Sequence, residues 1–168
     1  MTETTETFEP GPHPTLSRED QEKIGGELQY LLFELIDLTL VARQMDWCLV
    51  GPHSDGLRTR LKRWRARWDS DVEEIARRIR AVGWWPEGHP AGVSETIFGL
   101  GLEAAPAGAL SDSYVLTELT DRLGECVTRV RALIGQIGAL DPVTLALLTG
   151  FVGELEQQLW QVRSLEAK

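Results

Sequence analysis

The chain has 168 residues and a mass of 18.8 kDa, which suits one domain of ordinary size. Hydrophobic residues make up 42% and charged residues 26%, which excludes a disordered chain and a collagen-like chain. The net charge of −9 argues against a general binder of nucleic-acid phosphates. Basic charge is concentrated in residues 41–83, where ten bases accompany six acids.

Residues 1–16 are predicted to form a flexible acidic tail, and residues 17–168 one folded domain. The first ten residues contain three Glu and no Lys or Arg, the opposite of a signal or transit peptide. No apolar run reaches the roughly 18 residues that a membrane span needs, because Glu34, Asp37 and Arg43 interrupt the longest one. We therefore expect a cytoplasmic protein with no membrane span.

The first half of the domain is predicted to form two long helices. Ser17 and Asp20 resemble a capping box that opens the first helix, and Gly51-Pro52 ends it after about residue 50. Apolar residues then recur at steps of three or four, at Leu57, Leu61, Trp64, Trp68, Val72, Ile75, Ile79 and Val82. This period predicts the second helix, and Gly83 stands where a C′ glycine belongs.

The second half contains a crossover and two more helices. Residues 84–110 are rich in Pro and Gly and are predicted to form a long connection with a short helix around residues 93–100. A third long helix is predicted over residues 111–138, and Asp141-Pro142 opens a fourth. No alternating strand of useful length appears. The predicted fold is all-α: a four-helix bundle with a short helix between helices 2 and 3.

Familiar catalytic motifs are missing from the sequence. A di-iron bundle would use Glu-x-x-His steps, and the chain has none. Each of His13, His53 and His89 adjoins a proline outside the predicted helices, so all three are interpreted as loop residues. Cys48 and Cys126 lie far apart without a CxxC pattern and are interpreted as small core residues. Phosphate-binding and nucleophile-elbow motifs do not occur either.

Residues 58–67 carry six bases and a tryptophan, a combination that superficially resembles a surface for single-stranded nucleic acid. However, Trp64 and Trp68 fall on the apolar stripe of the second helix, which favours core packing with the bases on the outer flanks. Two ion pairs one turn apart are expected on that helix surface: Arg65 with Asp69, and Arg67 with Asp71.

Three motifs stand in order within residues 43–83: Arg-Gln-Met-Asp-Trp-Cys at 43–48, Gly-Pro-His-Ser at 51–54, and Glu-Glu-Ile-Ala-Arg-Arg-Ile-Arg-Ala-Val-Gly at 73–83. In composition and spacing they resemble the Dps-type mini-ferritins, the ferritin-like proteins that guard bacterial DNA during starvation and oxidative stress. The resemblance extends over about 150 residues. It implies a four-helix subunit that assembles into a hollow shell of twelve copies.

The resemblance also implies where an iron-oxidising site between two subunits would lie. At the five ligand positions of the family, this chain has Asp46, Arg58, Lys62, Glu73 and Arg77. Only Asp46 and Glu73 can ligate iron, and the three cations would repel it. We therefore expect no catalytic residue and no metal at this site. We hypothesise an ion-pair network instead, in which Asp46, Arg58 and Lys62 of one subunit face Glu73 and Arg77 of the next.

Three functions remain open on the sequence. The first is a non-enzymatic shell protein that holds iron or another cargo passively, alone or with a paralogous Dps-like subunit. The second is an iron-oxidising and iron-storing enzyme with a relocated acidic site, in which case iron would be bound; its candidate ligands are Asp46, Asp69, Glu73 and Glu74. The third is a helical adapter that binds another protein through a Trp-rich surface including Trp84 and Trp85.

Two further expectations concern the surface of the shell. Asp112, Glu118 and Asp121 are candidates for acids of a pore or of the interior, beside the ordinary interpretation as solvated helix-face acids. Direct DNA binding is not expected because the N-terminal segment is acidic, although the resemblance leaves association with the nucleoid open. The physiological cargo or partner is not specified by the sequence.

Overall fold

The computed structural model describes residues 11–166. Its helices are α1 Arg18–Cys48, α2 Ser54–Ala81, α3 Pro90–Gly99, α4 Asp112–Ile137 and α5 Pro142–Glu166. The predicted all-α bundle, with a short helix in the connection between the second and third long helices, is confirmed. Within this range, strand is limited to two segments of two residues, β1 Leu49–Val50 and β2 Leu110–Ser111.

Local interactions account for the helix ends. The backbone N–H of Asp20 donates to Ser17 Oγ at 3.1 Å and the Ser17 hydroxyl donates to Asp20 Oδ2 at 2.7 Å, so the predicted cap of α1 is present. At the end of α2, Gly83 has a φ of +88°, a conformation that favours glycine. α1 ends at Cys48, slightly earlier than predicted, because the next two residues pair as a strand.

The four long helices pack as two hairpins. α1 packs on α2 and α4 packs on α5, and α3 lies against α1. Trp64 and Trp68 are 3% and 0% exposed, which confirms that they belong to the core. The Trp68 indole N–H donates to Gln158 Oε1 of α5 at 2.8 Å, so its polar atom is satisfied inside the bundle. Cys126 is buried as expected, whereas Cys48 is only half-buried.

A small parallel sheet connects the two hairpins. Leu49 pairs with Leu110, and Val50 pairs with Ser111. The pairing holds the α1–α2 connection against the start of α4, where Asp112 Oδ2 accepts the backbone N–H of His53 at 3.0 Å. Two residues are too few to display the alternation that identifies a strand, so the sequence pattern does not predict this sheet.

A buried arginine attaches the long crossover to the bundle. Arg122 of α4 is 5% exposed, and its guanidinium donates to Asp37 Oδ2 at 3.0 Å and to Glu118 Oε1 at 2.6 Å. The same group donates to the backbone carbonyl of Glu103 in the crossover. One side chain therefore joins α1, α4 and the connection before α4.

The described N-terminal residues contact the bundle. The Gln21 amide donates to the carbonyl of Gly11 at 3.2 Å and to that of Val82 at 2.9 Å. His13 Nδ1 accepts the backbone N–H of Leu16 at 3.2 Å. The tail predicted over residues 1–16 falls largely outside the described residues, and its boundary at residue 16 stays a prediction. Between residues 11 and 166, no helix is both long and apolar enough to cross a bilayer.

Replacing Arg122 with Ala should destabilise the fold strongly, since Asp37 and the Glu103 carbonyl would lose a buried partner. We expect the free energy of unfolding, measured by urea denaturation, to fall by about 3–5 kcal/mol. Arg131→Ala is the matched control, because Arg131 pairs with Glu156 while 63% exposed, and its loss should cost less than about 1 kcal/mol. Equal losses in the two variants would contradict the role of Arg122.

Candidate inter-subunit site

Arg58 binds the C-terminal end of α1. It lies in the second turn of α2, and its Nη1 donates to the backbone carbonyl of Asp46 at 2.5 Å while Nη2 donates to that of Leu49 at 3.0 Å. The last carbonyls of a helix lack partners within the helix and carry partial negative charge. A guanidinium supplies both hydrogen bonds and the opposite charge, so Arg58 has a structural task within its own chain.

Asp46 is a buried carboxylate between two arginines. Its side chain is 8% exposed, with Oδ1 3.6 Å from Arg58 Nη1 and Oδ2 4.0 Å from Arg65 Nη1. Both distances exceed normal hydrogen-bond length. Oδ1 has no hydrogen-bond partner in the described part of the chain. The carboxylate is therefore electrostatically compensated but not fully hydrogen-bonded, which is unusual for a buried acid.

The other three predicted residues lie on the exposed surface of α2. Lys62 is exposed, and it forms no ion pair with any residue between 11 and 166. Glu73 and Arg77 are 70% and 75% exposed and form a loose pair at 3.9 Å. Arg58 and Glu73 are fifteen residues apart on one helix, a separation of about 22 Å. A single chain therefore brings Asp46 and Arg58 together but keeps Glu73 and Arg77 apart from them.

The side chains around Asp46 do not form a ligand set for a ferrous ion. A metal ion at this position would need several oxygen or nitrogen ligands, whereas the near neighbours of the carboxylate are the guanidinium groups of Arg58 and Arg65. Guanidinium carries a positive charge at any ordinary pH and offers no lone pair for coordination. The chemistry of this set is that of an ion pair.

The four acids of the relocated-site hypothesis are not gathered in one place. Asp46 is buried at the end of α1, whereas Asp69, Glu73 and Glu74 are exposed along α2. Taken over residues 11–166, no three His, Cys, Asp or Glu side chains lie close enough to hold a metal ion together.

One expected ion pair is confirmed and the other is wrong. Arg67 Nη2 lies 3.1 Å from Asp71 Oδ1, as predicted. Arg65 turns towards Asp46 instead of Asp69, because the buried carboxylate of α1 is also within its reach. The predicted surface location of Asp71 is wrong as well, since its side chain is 5% exposed.

Burial changes the acidity of Asp71. It raises the pKa of this carboxyl from 3.8 to about 6, against the attraction of Arg67 and with the repulsion of Glu154 and Glu74. Arg67 also pairs with Glu154 of α5 at 2.5 Å, so one guanidinium serves two carboxylates. The charged form of Asp71 is therefore costly in the folded protein.

The three candidate pore acids have different surroundings. Asp112 is partly buried and accepts the backbone N–H of His53, and its carboxylate occupies the space that a Cβ on Gly51 would need. Glu118 accepts a hydrogen bond from Arg122. Asp121 is exposed, and the described chain offers it no ion pair. Their assignment to a pore or interior surface stays a prediction.

The histidines and the two tryptophans of the adapter hypothesis lie near helix ends. His53 and His89 directly precede α2 and α3, as expected of residues outside the helices. The Trp84 ring packs against Gly25 of α1 and is half-buried. Trp85 is 48% exposed, with the Arg80 guanidinium 3.6 Å from its ring centre. The two tryptophans thus have different environments.

Several buried charges are not predicted by the sequence pattern. Glu34 of α1 pairs with Arg129 of α4 at 2.5 Å, and Arg78 of α2 pairs with Asp141 at the start of α5. Burial works to raise the pKa of Asp141, but hydrogen bonds from Thr144 and Arg78 outweigh it and lower the pKa. The sequence feature that could have indicated such a buried charge is an acidic residue within an apolar run, as at Glu34.

Comparison with known proteins gives one consistent result. Residues 26–168 match the family model of the ferritin-like domain. The chain is 31% identical over 136 residues to the DNA protection during starvation protein of Agrobacterium fabrum. The aligned segment covers 80% of this chain and 82% of that protein. A Mycobacterium smegmatis Dps structure shares the fold, with a TM-score of 0.87 at 24% identity over 94% of this chain and 93% of that one. DpsA14 from Streptomyces coelicolor has a TM-score of 0.83 at 26% identity, covering 94% of each chain.

Replacing Asp71 with Asn should stabilise the protein at neutral pH. A folded-state pKa raised from 3.8 to about 6 means that stability falls as pH rises through this window. The amide of Asp71→Asn does not ionise, so we expect the variant to gain up to about 3 kcal/mol at pH 7.5 and almost nothing at pH 4. Thermal melts from pH 4 to pH 8 would test this. Asp69→Asn is the exposed control, and a gain independent of pH would contradict the assignment.

Proposed function

The chain belongs to the Dps-type mini-ferritins of the ferritin-like superfamily, and on that basis we propose that its subunits assemble into a hollow shell, with twelve copies as the expected number. The shell is a cytoplasmic stress or starvation protein that holds iron or another cargo passively. It lacks the usual inter-subunit iron-oxidising centre of the family. The curated relative named for DNA protection during starvation supports the general setting.

The observation that carries this proposal is the environment of Asp46. A metal centre at this position would have to tolerate the guanidinium groups of Arg58 and Arg65, which lie 3.6 and 4.0 Å from the carboxylate. Arg58 cannot readily move aside, because it also donates to two backbone carbonyls at the end of α1. Repulsion between these two cations, of which Arg58 is fixed, and a ferrous ion opposes binding at this short range.

The proposed ion-pair network completes the site across the subunit interface. On the side of Asp46, Arg58 and Arg65 set two positive charges against one carboxylate. On the other side, Glu73 and Arg77 are exposed and held only by a loose pair. Glu73 in turn offers a carboxylate to the excess positive charge of Arg58 and Lys62. The side with Glu73 thus supplies negative charge to an excess of cations, an arrangement that gives an interface orientation and specificity.

The proposal predicts that the assembled protein oxidises ferrous iron no faster than buffer. Absorbance of ferric product and light scattering on the same sample would measure activity and assembly size together. The resemblance implies two His, two Asp and one Glu at the five positions. The matched variant installs them with Asp46→His, Arg58→His, Lys62→Asp, Glu73→Asp and Arg77→Glu, and it should gain saturable oxidation. Saturable oxidation by the wild-type shell, lost in Asp69→Asn/Glu74→Gln, would favour the relocated acidic site instead. A monomer would favour the adapter.

Replacing Glu73 with Ala should weaken the dimer, because the cations facing it across the interface would be left without a partner. We expect a cost of about 3–5 kcal/mol in association, the range for breaking a buried pair. Analytical ultracentrifugation over a dilution series would measure it. The adjacent exposed acid provides the control, since Glu74→Ala should dissociate like the wild type. Unchanged assembly and melting temperature in Glu73→Ala would rule out the network.

A further inference from the structure

A groove of about 820 Å³ lies between α1 and α3, away from Asp46 and its arginines. Three aromatic side chains contribute to its walls, namely Tyr30, Phe33 and Trp84. Two carboxylic acids, Glu87 and Glu95, stand at its edge. Among its lining residues in the described chain there is no Lys, Arg or His. The groove therefore combines aromatic surface with uncompensated negative charge.

Two glycines determine the shape of the groove, because each lets an aromatic ring pack directly on the helix backbone. A Cβ on Gly25 of α1 would lie 2.6 Å from Cγ of Trp84, so only glycine allows the ring to settle there. A Cβ on Gly92 of α3 would lie 2.6 Å from Cζ of Phe33 and 3.1 Å from Oε1 of Glu87. These glycines let α3 and the Trp84 segment pack closely on α1, and the rings are held in place as a result.

The backbone of Glu87 is held by a pair of reciprocal hydrogen bonds. The Gln29 amide of α1 donates to the Glu87 carbonyl, and Gln29 Oε1 accepts the Glu87 backbone N–H, both at 2.8 Å. Neither Glu87 nor Glu95 forms an ion pair with another residue of the described range. Both carboxylates are exposed and have no cation of their own in this range, so they are available to a positively charged ligand.

The aromatic walls already accept one cation. The Arg18 guanidinium lies 5.6 Å from the centre of the Trp84 ring, within the range of a cation–π contact. The Tyr30 side chain is 64% exposed at the other side of the groove. An aromatic face next to a carboxylate binds alkylammonium ions by cation–π attraction and ion pairing, while the ring surface covers the methylene groups.

We propose that this groove binds a linear aliphatic polyamine. Ammonium groups of such a ligand can pair with the carboxylates of Glu87 and Glu95, and the methylene chain between them can cover the aromatic surface. A hydrated divalent metal ion fits poorly, because magnesium retains its water shell and gains nothing from the rings. The inference does not rest on the absence of an iron-oxidising centre, so the two can fail separately.

Isothermal titration of the assembled protein with spermidine would test the proposal, with magnesium chloride at equal ionic strength as the competitor. We expect saturable spermidine binding that magnesium does not displace. Glu87→Gln and Glu95→Gln should each weaken it about tenfold, as expected for loss of one charge-assisted contact. Glu19→Gln, which removes an exposed acid outside the groove, should leave the affinity unchanged. Circular dichroism and light scattering would verify that each variant is folded and assembled.

A second variant separates the aromatic contribution from the charge. Tyr30→Leu keeps apolar surface but removes the ring, and it should weaken spermidine binding several-fold with both carboxylates intact. Equal displacement by magnesium, or equal weakening in Glu19→Gln, would overturn the proposal in favour of nonspecific charge attraction. If the wild type does not bind spermidine and Tyr30→Asp dissociates the assembly, a second copy of the chain occupies the groove and the proposal fails.

Discussion

The contact of Arg58 with the end of α1 determines what the candidate site can do. Its two hydrogen bonds to the carbonyls of Asp46 and Leu49 give the guanidinium a structural role that a metal-binding side chain could not fulfil. Because this cation is held there, the nearby carboxylate of Asp46 forms an ion pair and is less available as a metal ligand. The proposed absence of iron chemistry at this position would then follow from the structural task of Arg58 at the α1–α2 junction.

Arginines also join separate elements elsewhere in the bundle. Arg122 links α1, α4 and the crossover, and Arg78 links α2 to the start of α5 through Asp141. Such pairs add little net stability compared with apolar packing, but they are costly to break and they discriminate against other arrangements. A chain with 26% charged residues can in this way keep one register of its helices.

Much of the fold could be predicted from the sequence because apolar spacing, caps and breakers agreed with one another. Spacing alone places Trp68 in the core, and the relation of Ser17 to Asp20 places the start of α1. The partner of Arg65 could not be predicted in this way, because a helical period says which face a residue occupies but not what another helix brings against that face. That partner, Asp46, belongs to α1. Asp71 lies three residues after Trp68 and four before Ile75, so the period itself places it on the buried stripe, and the prediction of a surface ion pair overlooked this spacing.

The candidate site was predictable only as a set of positions, since one chain does not bring all five residues together. One subunit holds Asp46 and Arg58 together, whereas Glu73 and Arg77 lie on its surface about 22 and about 28 Å further along α2. The buried Oδ1 of Asp46 still lacks a donor within the described chain, because the side-chain nitrogens of Arg58 and Arg65 lie beyond hydrogen-bond distance of the carboxylate. An unsatisfied buried acceptor is expensive, so Asp46 is held at the end of α1 at a cost that the two nearby cations only partly offset.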